Sequence, residues 1–270
     1  MISSRQKIAL LAAAAGVALM PAAPAFAQAV VQAAPDPAEQ DLTNALQRLS
    51  GNPRNVPALL DAGYASLALD DERAAVGFFN RAQAERPDDG RVLIGLALVA
   101  VRRGEGPIAI QLFDNANAAG SPMAPFASDR GLAYDLVGAN SRAQGLYRQA
   151  LSREENDEVV RRLALSYAIS GDGAASEATL LPLLQRQDRR AYRTRAFALA
   201  ILGSSDEANS IAETMLPPRL SQRLSPYLQY MPRLTRAQQA AAANLGRFPV
   251  IAEIGRDTPQ IAALDSQPSR

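Results

Sequence analysis

The feature that most constrains this chain is a set of small residues that recur at a fixed spacing through its middle. At intervals of 34, 34, 33 and 32 positions they are Gly63, Ala97, Gly131, Ala164 and Ala196. Seven positions after each of them comes a residue suited to a tight turn, namely Asp70, Gly104, Gly138, Gly171 and Gly203. A period of this size predicts a stacked array of similar units instead of a single closed core.

Each unit is predicted to form two short helices folded back on each other, and the stretch from Val56 to Pro87 shows this most clearly. Gly63 in the first helix lets the second helix approach closely, and Ala75 does the same from the other side. Phe79, four positions later, fills the gap toward the next unit. Three further positions recur with the same period. That of Ala75 recurs as Ala109, Ala143, Ser176 and Ala208, and that of Phe79 as Phe113, Tyr147, Leu180 and Ala212. That of Ala82 recurs as Ala116, Ala150, Leu183 and Met215.

This pattern resembles the tetratricopeptide repeat family over roughly residues 56–216. In the first unit the matching residues are Leu59, Gly63, Ala75, Phe79, Ala82 and Pro87. The match is incomplete, because tyrosine at the eleventh position of the repeat occurs only as Tyr134 and Tyr167, and the closing proline only as Pro87. The resemblance implies an all-α fold, a right-handed superhelical solenoid of about five helix hairpins with capping helices at both ends.

The repeat phase also divides the chain. It predicts an array over residues 56–216, with repeats near 56–89, 90–123, 124–156, 157–188 and 189–216. A capping helix is expected within 37–55 and a degenerate helix pair within 217–246, because arrays need atypical ends that cover their outermost apolar faces. Pro182 is expected to kink or shorten the second helix of the fourth unit, and residues 247–270 are expected to be disordered.

The first 27 residues have the pattern of a cleaved signal peptide. Arg5 and Lys7 precede an apolar run of 13 residues that is too short to span a bilayer, and small residues suited to cleavage follow at Ala25 and Ala27. The sequence therefore predicts export to the periplasm, or secretion, with a flexible linker at 28–36 and no stable membrane anchor after cleavage. An uncleaved anchor is the alternative.

The residue types that are missing exclude several kinds of chemistry. The chain has no cysteine and no histidine, and Lys7 is its only lysine, which excludes a thiolate nucleophile, an imidazole base and the usual zinc sites. Acidic pairs such as Asp70-Asp71 lie at predicted turns and lack the spacing of a calcium loop. After cleavage, 26 arginines face 27 acidic residues, a balance that does not attract nucleic acid or lipid headgroups. The sequence predicts a protein that is not an enzyme and holds no cofactor or metal.

Binding is expected on the first helices, because these line a concave groove in the family that the pattern resembles. Carried over to this chain, the ninth position of each repeat forms an apolar row, and the groove is basic toward its rear. The predicted partner-binding residues are Asp61, Tyr64, Leu98, Arg102, Leu132, Asp135, Arg161, Arg162, Leu165, Arg190, Arg193 and Phe197. Arginine suits carboxylates, so the expected partner is a peptide or protein segment. Two alternatives stay open: the row is core between repeats, and the arginines are ordinary solvated charges.

The pattern favours a non-catalytic interaction scaffold of the cell envelope, by analogy with exported repeat proteins that serve secretion, pilus or envelope assembly. Two other functions stay open. In a cell-surface glycan-binding protein, Tyr64, Tyr134 and Tyr167 would stack on sugars. In a recruiting domain, the array would bring substrates to an envelope enzyme. The sequence leaves the oligomeric state open.

Overall fold

The computed structural model describes residues 36–215 and 217–265. Over these residues the protein is helical, without strands, and consecutive helices pack against each other in pairs. This confirms the predicted all-α class. The predicted signal peptide, all of the predicted linker except Asp36, and residues 266–270 lie outside the described residues. No helix in the described part combines the length and the apolar composition needed to span a bilayer.

The described residues form a series of α-helices. In chain order these are α1 (Pro37–Gly51), α2 (Val56–Ala68), α3 (Glu72–Glu85), α4 (Gly90–Arg102), α5 (Gly106–Ala118), α6 (Ala127–Asp135), α7 (Asn140–Leu151), α8 (Asp157–Ile169), α9 (Gly173–Gln185), α10 (Arg189–Ile201), α11 (Ser205–Met215), α12 (Pro218–Tyr230), α13 (Arg236–Leu245) and α14 (Pro259–Asp265). Short 3₁₀ turns occur at Ala124–Phe126, Met231–Arg233 and Ile251–Glu253. The most extensive contacts join the first helices α2, α4, α6, α8 and α10 to the second helices α3, α5, α7, α9 and α11, and α1 packs on α2 to a similar extent.

A residue with left-handed backbone stands in the turn between the two helices of each of these pairs. These residues are the ones predicted from the repeat, and their φ values lie between 59° and 91°: Asp70, Gly104, Gly138, Gly171 and Gly203. Glycine tolerates this conformation because it lacks a Cβ, and aspartate is one of the few other residues that adopt it. The side chains of Asp71 and Asp172 then accept the N–H groups of Ala74 and Ala175, which caps α3 and α9.

An aromatic ring from a second helix fills the space between neighbouring first helices. The ring of Phe79 is fully buried, and a Cβ at Gly63 or Gly95 would lie only 2.5 or 2.4 Å from its Cε1 atom. Gly63 belongs to α2 and Gly95 to α4, so one ring packs on its own pair and on the next. Tyr147 packs in a similar way on Gly131 of α6. The predicted close approach at Gly63 and Gly131 is confirmed, and it is the reason why a larger side chain does not fit there.

Two helices, α9 and α12, contain a proline at an interior position and continue past it. α9 continues through Pro182 to Gln185, so the expected shortening does not occur. Leu180 and Leu183, on either side of this proline, are buried, and their packing holds the last turn of the helix although Pro182 offers no N–H. α12 likewise continues past Pro226.

Residues 247–265 form ordered structure, which corrects the disordered tail expected from residue 247. The Nε2 group of Gln238, in α13, donates to the carbonyl oxygens of Glu253 (2.6 Å) and Arg256 (2.9 Å). The Oε1 atom of the same side chain accepts the N–H of Gly255 (2.9 Å). The side chain of Gln238 therefore holds the segment after α13 against that helix. The sequence does not indicate this role, because a polar residue on an amphipathic helix is ordinary.

The C-terminal helices cover the first helices in the rear half of the molecule. α13 contacts α6, α8 and α10, and the buried residues of α13 are mostly alanines. Leu228 and Met231, from α12 and the turn after it, belong to the same apolar core as Leu132, Leu165 and Phe197 of the first helices. The surface on which a partner was expected is therefore partly occupied by the chain itself.

Candidate functional site

Three residues of the predicted apolar row are buried beneath the C-terminal helices. Leu132, Leu165 and Phe197 are 1%, 3% and 5% exposed, and they share one core with residues of α12 and α13. Tyr64 and Leu98, nearer the N-terminus, are half-buried. The Tyr64 hydroxyl donates to a backbone carbonyl oxygen of α4 (2.8 Å). The first helices do present an apolar surface, and most of it packs within the molecule.

Asp135, expected in the groove, is completely buried in the core. Its Oδ1 atom accepts hydrogen bonds from Asn140 Nδ2 (2.7 Å) and Ser166 Oγ (2.7 Å), and its Oδ2 atom accepts one from the Tyr147 hydroxyl (3.0 Å). Burial raises the pKa of Asp135 to about 7, and the hydrogen bonds limit the rise. The groove assignment of Asp135 is therefore corrected: its carboxyl joins α6, α7 and α8 inside the protein.

Two other charged residues of the predicted groove form ion pairs at the surface. Arg48 of α1 lies 2.6 Å from Asp61 of α2, and Arg102 of α4 lies 2.8 Å from Asp70. Exposed ion pairs of this kind contribute about 0–1 kcal/mol to stability. Each pair connects neighbouring elements of the array, and the charges of Asp61 and Arg102 are already matched.

Arg161 and Arg162 of α8 are held by acidic residues. The Arg161 side chain is 8% exposed and forms ion pairs with Glu158 (2.9 Å) and Asp188 (2.7 Å). Arg162 forms ion pairs with Asp129 (3.5 Å) and Glu158 (3.3 Å). Burial acts to raise the pKa of Glu158, but the two guanidinium groups lower it overall. These two arginines therefore tie α8 to its neighbours, and their charge is already matched.

Arg190 and Arg193 of α10 differ from the other predicted groove arginines. Both residues are exposed, and neither guanidinium group forms an ion pair or hydrogen bond within the described residues. Residues three positions apart lie on the same face of a helix, so the two positive charges are close to each other. Two neighbouring like charges without a counter-ion repel, and an anion placed between them would relieve this repulsion.

A small cavity lies beside both of these arginines, among α8, α10 and α13. Its volume is about 270 Å³, and Leu165 and Phe197 form the apolar part of its lining. Ala243 and Asn244 of α13 also line it, together with Thr194 and the ion-paired side chains of Glu158, Arg161 and Arg162. A second, mostly apolar cavity of about 210 Å³ adjoins the same two arginines and is lined by residues of α10, α11 and α12. The arrangement can bind a carboxylate that carries an apolar group, because guanidinium groups match carboxylates in charge and geometry.

Nothing in the sequence indicated that α13 contributes to this cavity. A C-terminal helix was expected to cover the last unit only, whereas α13 lies along three first helices. Its buried alanines, Ala237, Ala240, Ala242 and Ala243, indicate close packing without specifying the surface on which they pack. The contribution of Ala243 and Asn244 could be found only from the tertiary structure.

No family model matches the chain, and a search of curated proteins gives no match. The resemblance to tetratricopeptide repeats therefore stays a prediction from the residue pattern.

Proposed function

We propose that this protein is an exported, non-catalytic interaction scaffold of the tetratricopeptide repeat type, with five repeats stacked into a right-handed solenoid. It works in the periplasm, or outside the cell, in the assembly of an envelope, secretion or pilus complex. Its partner is a protein segment that places a carboxylate between Arg190 and Arg193. The observation that carries the proposal is that these two side chains are exposed, without an ion pair among the described residues, and adjacent to two small cavities.

The charge balance around the cavities favours an anionic partner. The arginines of α8 are matched by nearby acidic residues, so Arg190 and Arg193 leave an excess of positive charge. Hydrogen bonds that involve a charged group contribute about 1.5–3 kcal/mol each. A carboxylate held by both guanidinium groups would gain such bonds and would also remove the repulsion between the two arginines.

The size and lining of the cavities favour the end of a polypeptide. Volumes of about 270 and 210 Å³ are too small for a folded domain and lie below the range of typical drug-sized sites. Leu165 and Phe197 on one side, and Ile211 and Met215 on the other, favour apolar side chains next to the bound carboxylate. The segment that fits best is a C-terminus whose last residues are apolar.

The position of α13 limits the route of such a segment. Because α13 packs on α6, α8 and α10, a partner cannot run along the whole length of the expected groove while α13 stays in place. Arg190 and Arg193 stand at the edge of this covered surface, on α10. The partner segment is therefore expected to end at α10 and not to extend along the full row of first helices.

The test uses peptides that end in a free carboxylate and matched peptides that end in an amide. A random peptide library displayed with free C-termini is first selected on the full chain. The enriched peptide and its amide are then titrated by fluorescence anisotropy. The amide is expected to bind about tenfold or more weakly, because it loses the charge that the two arginines recognise.

Variants then locate the site on the chain. R190Q/R193Q should weaken binding of the free-acid peptide at least about tenfold. R73Q/R153Q removes the same charge from two exposed arginines far from the cavity in sequence and should bind like the wild type. Equal affinities for acid and amide, or equal losses in both double variants, would refute the proposed site.

The contacts of Tyr64, Tyr134 and Tyr167 support glycan binding less well than the two arginines support carboxylate binding. The Tyr64 hydroxyl is already bonded to a backbone carbonyl oxygen, and the Tyr167 hydroxyl lies 3.1 Å from a guanidinium nitrogen of Arg148. The guanidinium group of Arg142 covers the ring of Tyr134 at 5.6 Å from its centre. The ring of Tyr134 is therefore covered, and the hydroxyl groups of Tyr64 and Tyr167 are already bonded within the protein.

A further inference from the structure

Five large apolar side chains with exposures between 41% and 88% form a surface that we call the C-terminal apolar patch. They are Leu220, Tyr227, Tyr230, Val250 and Ile251. The last four line one open cavity of about 770 Å³, and Leu220 precedes Tyr227 by two helical turns on α12. The other large apolar residues exposed in the described part stand on different elements: Leu46, Ile108, Leu181 and Leu202. Single exposed apolar residues are normal, whereas a cluster of this kind marks a binding surface.

Contacts with α12 and α13 fix the backbone that carries the patch. The Phe248 ring lies 4.5 Å from the Tyr227 ring between ring centres, which fixes the chain against α12. The bonds from Gln238 to the segment 253–256 hold the 3₁₀ turn that begins at Ile251. Val250 and Ile251, at the start of this turn, are 62% and 88% exposed. Two aliphatic side chains therefore project from a fixed turn instead of from a loose chain end.

Arginines flank the patch on α12, which carries no acidic residue, whereas the turn that begins at Ile251 ends at the exposed Glu253. Arg219, Arg223 and Arg233 form no ion pair within the described residues, and Arg233 lies over the ring of Tyr230 at 5.8 Å from its centre. Residues 217–265 contain six arginines and three acidic residues, a net charge of +3, whereas residues 36–215 contain 19 arginines and 24 acidic residues, a net charge of −5. The near-neutral total conceals a basic C-terminal segment.

We propose that the C-terminal apolar patch docks on the headgroup region of a bilayer that contains anionic lipid. Val250 and Ile251 would enter the boundary of the acyl chains, and the two tyrosines suit the interface because each has an apolar ring and a polar tip. The surrounding arginines would reach the lipid phosphates. A second copy of this chain fits less well, because a symmetric contact would bring the arginines around the patch of both copies together.

The experiment measures sedimentation of the full chain with vesicles of phosphatidylcholine alone and of equal parts phosphatidylcholine and phosphatidylglycerol. The wild type should bind the anionic vesicles more strongly, and added salt should weaken this binding. V250S/I251S should lower the partition coefficient by about tenfold or more, because it removes apolar surface that enters the interface. I108S/L181S, which changes two exposed aliphatic residues elsewhere, should behave like the wild type.

A charge series separates the two contributions. R219Q/R223Q/R233Q should lose about a hundredfold in binding to the anionic vesicles, from about 1 kcal/mol per arginine, and little on phosphatidylcholine. R73Q/R86Q/R153Q is the matched control. Every variant carries the same N-terminal residues, so the differences report on the patch. Absence of wild-type binding, equal binding to both vesicle types, or V250S/I251S binding like its control would overturn the proposal. None of these results depends on Arg190 or Arg193.

Discussion

The buried carboxyl of Asp135 makes the stability of this protein depend on pH near neutrality. Its pKa is raised from 3.8 to about 7 by burial, so the folded protein holds the proton more tightly than the unfolded chain does. The contribution of this group to stability is therefore greatest below about pH 4, falls as the pH rises to about 7, and stays constant above that. The chain contains no histidine whose titration would overlap this range.

The size of the effect follows from the shift in pKa. Three pKa units at about 1.4 kcal/mol each correspond to about 4 kcal/mol, and full burial of Asp135 means that solvent does not screen the effect. Asp135→Asn keeps the shape of the side chain and removes the titration. The hydroxyl groups of Tyr147 and Ser166 can rotate to suit the new amide. The buried Oδ1 atom of Asn140 has no hydrogen-bond partner within the described residues, so it can accept the N–H of the new amide after a rotation of the Asn140 amide.

Urea denaturation of the wild type, D135N and D88N between about pH 4.5 and about pH 8 tests this reasoning. Relative to D135N, the wild type should lose about 3–4 kcal/mol of unfolding free energy across the range, and most of the loss should lie below about pH 7. Asp88 is exposed, so D88N should follow the wild type. A D135N profile parallel to that of the wild type would show that Asp135 does not titrate in the core.

Three further predictions concern packing and the arginines. Phe79→Ala should lower the unfolding free energy by about 3–5 kcal/mol in urea, and a loss under about 1 kcal/mol would mean that Phe79 is not core. Gly95→Ala should destabilise the protein, because the added Cβ would lie 2.4 Å from the Phe79 ring. A Cβ added at Gly77 would contact nothing, so Gly77→Ala should stabilise the protein by up to about 1 kcal/mol. Arg161→Glu should cost about 3–5 kcal/mol and Arg193→Glu almost nothing, so equal melting temperatures would contradict the assigned difference in burial.

The sequence predicted the helix pairs because their signals are local or nearly so. A left-handed turn residue acts within a few positions, and Asp70 and Gly171 mark their turns by backbone sterics alone. Small residues such as Gly63 and Gly131 are required wherever helices cross closely. These constraints recur in every unit, so each of them is visible several times in the sequence at the same spacing.

The chemical environment of individual groove positions could not be predicted in this way. Asp135 depends on Ser166, 31 positions away, for one of its hydrogen bonds, and the repeat pattern places both residues only by helix and phase. Arg161 and Arg193 belong to the same class in the sequence, and only the acidic neighbours of Arg161 in the fold distinguish them. The packing of α13 on the first helices likewise has no periodic signal, because it occurs once in the chain.

We propose that Arg190 and Arg193 bind the carboxylate of a partner segment, and NMR of the full chain can test this at the two side chains themselves. The arginine Nε–H resonances are followed during titration with an acetylated leucine tripeptide and, separately, with its C-terminal amide. We expect the free-acid peptide to shift the resonances of Arg190 and Arg193 and to leave that of Arg73 in place, and the amide to shift none of them. Equal shifts with both peptides, or shifts confined to other arginines, would contradict carboxylate binding at Arg190 and Arg193.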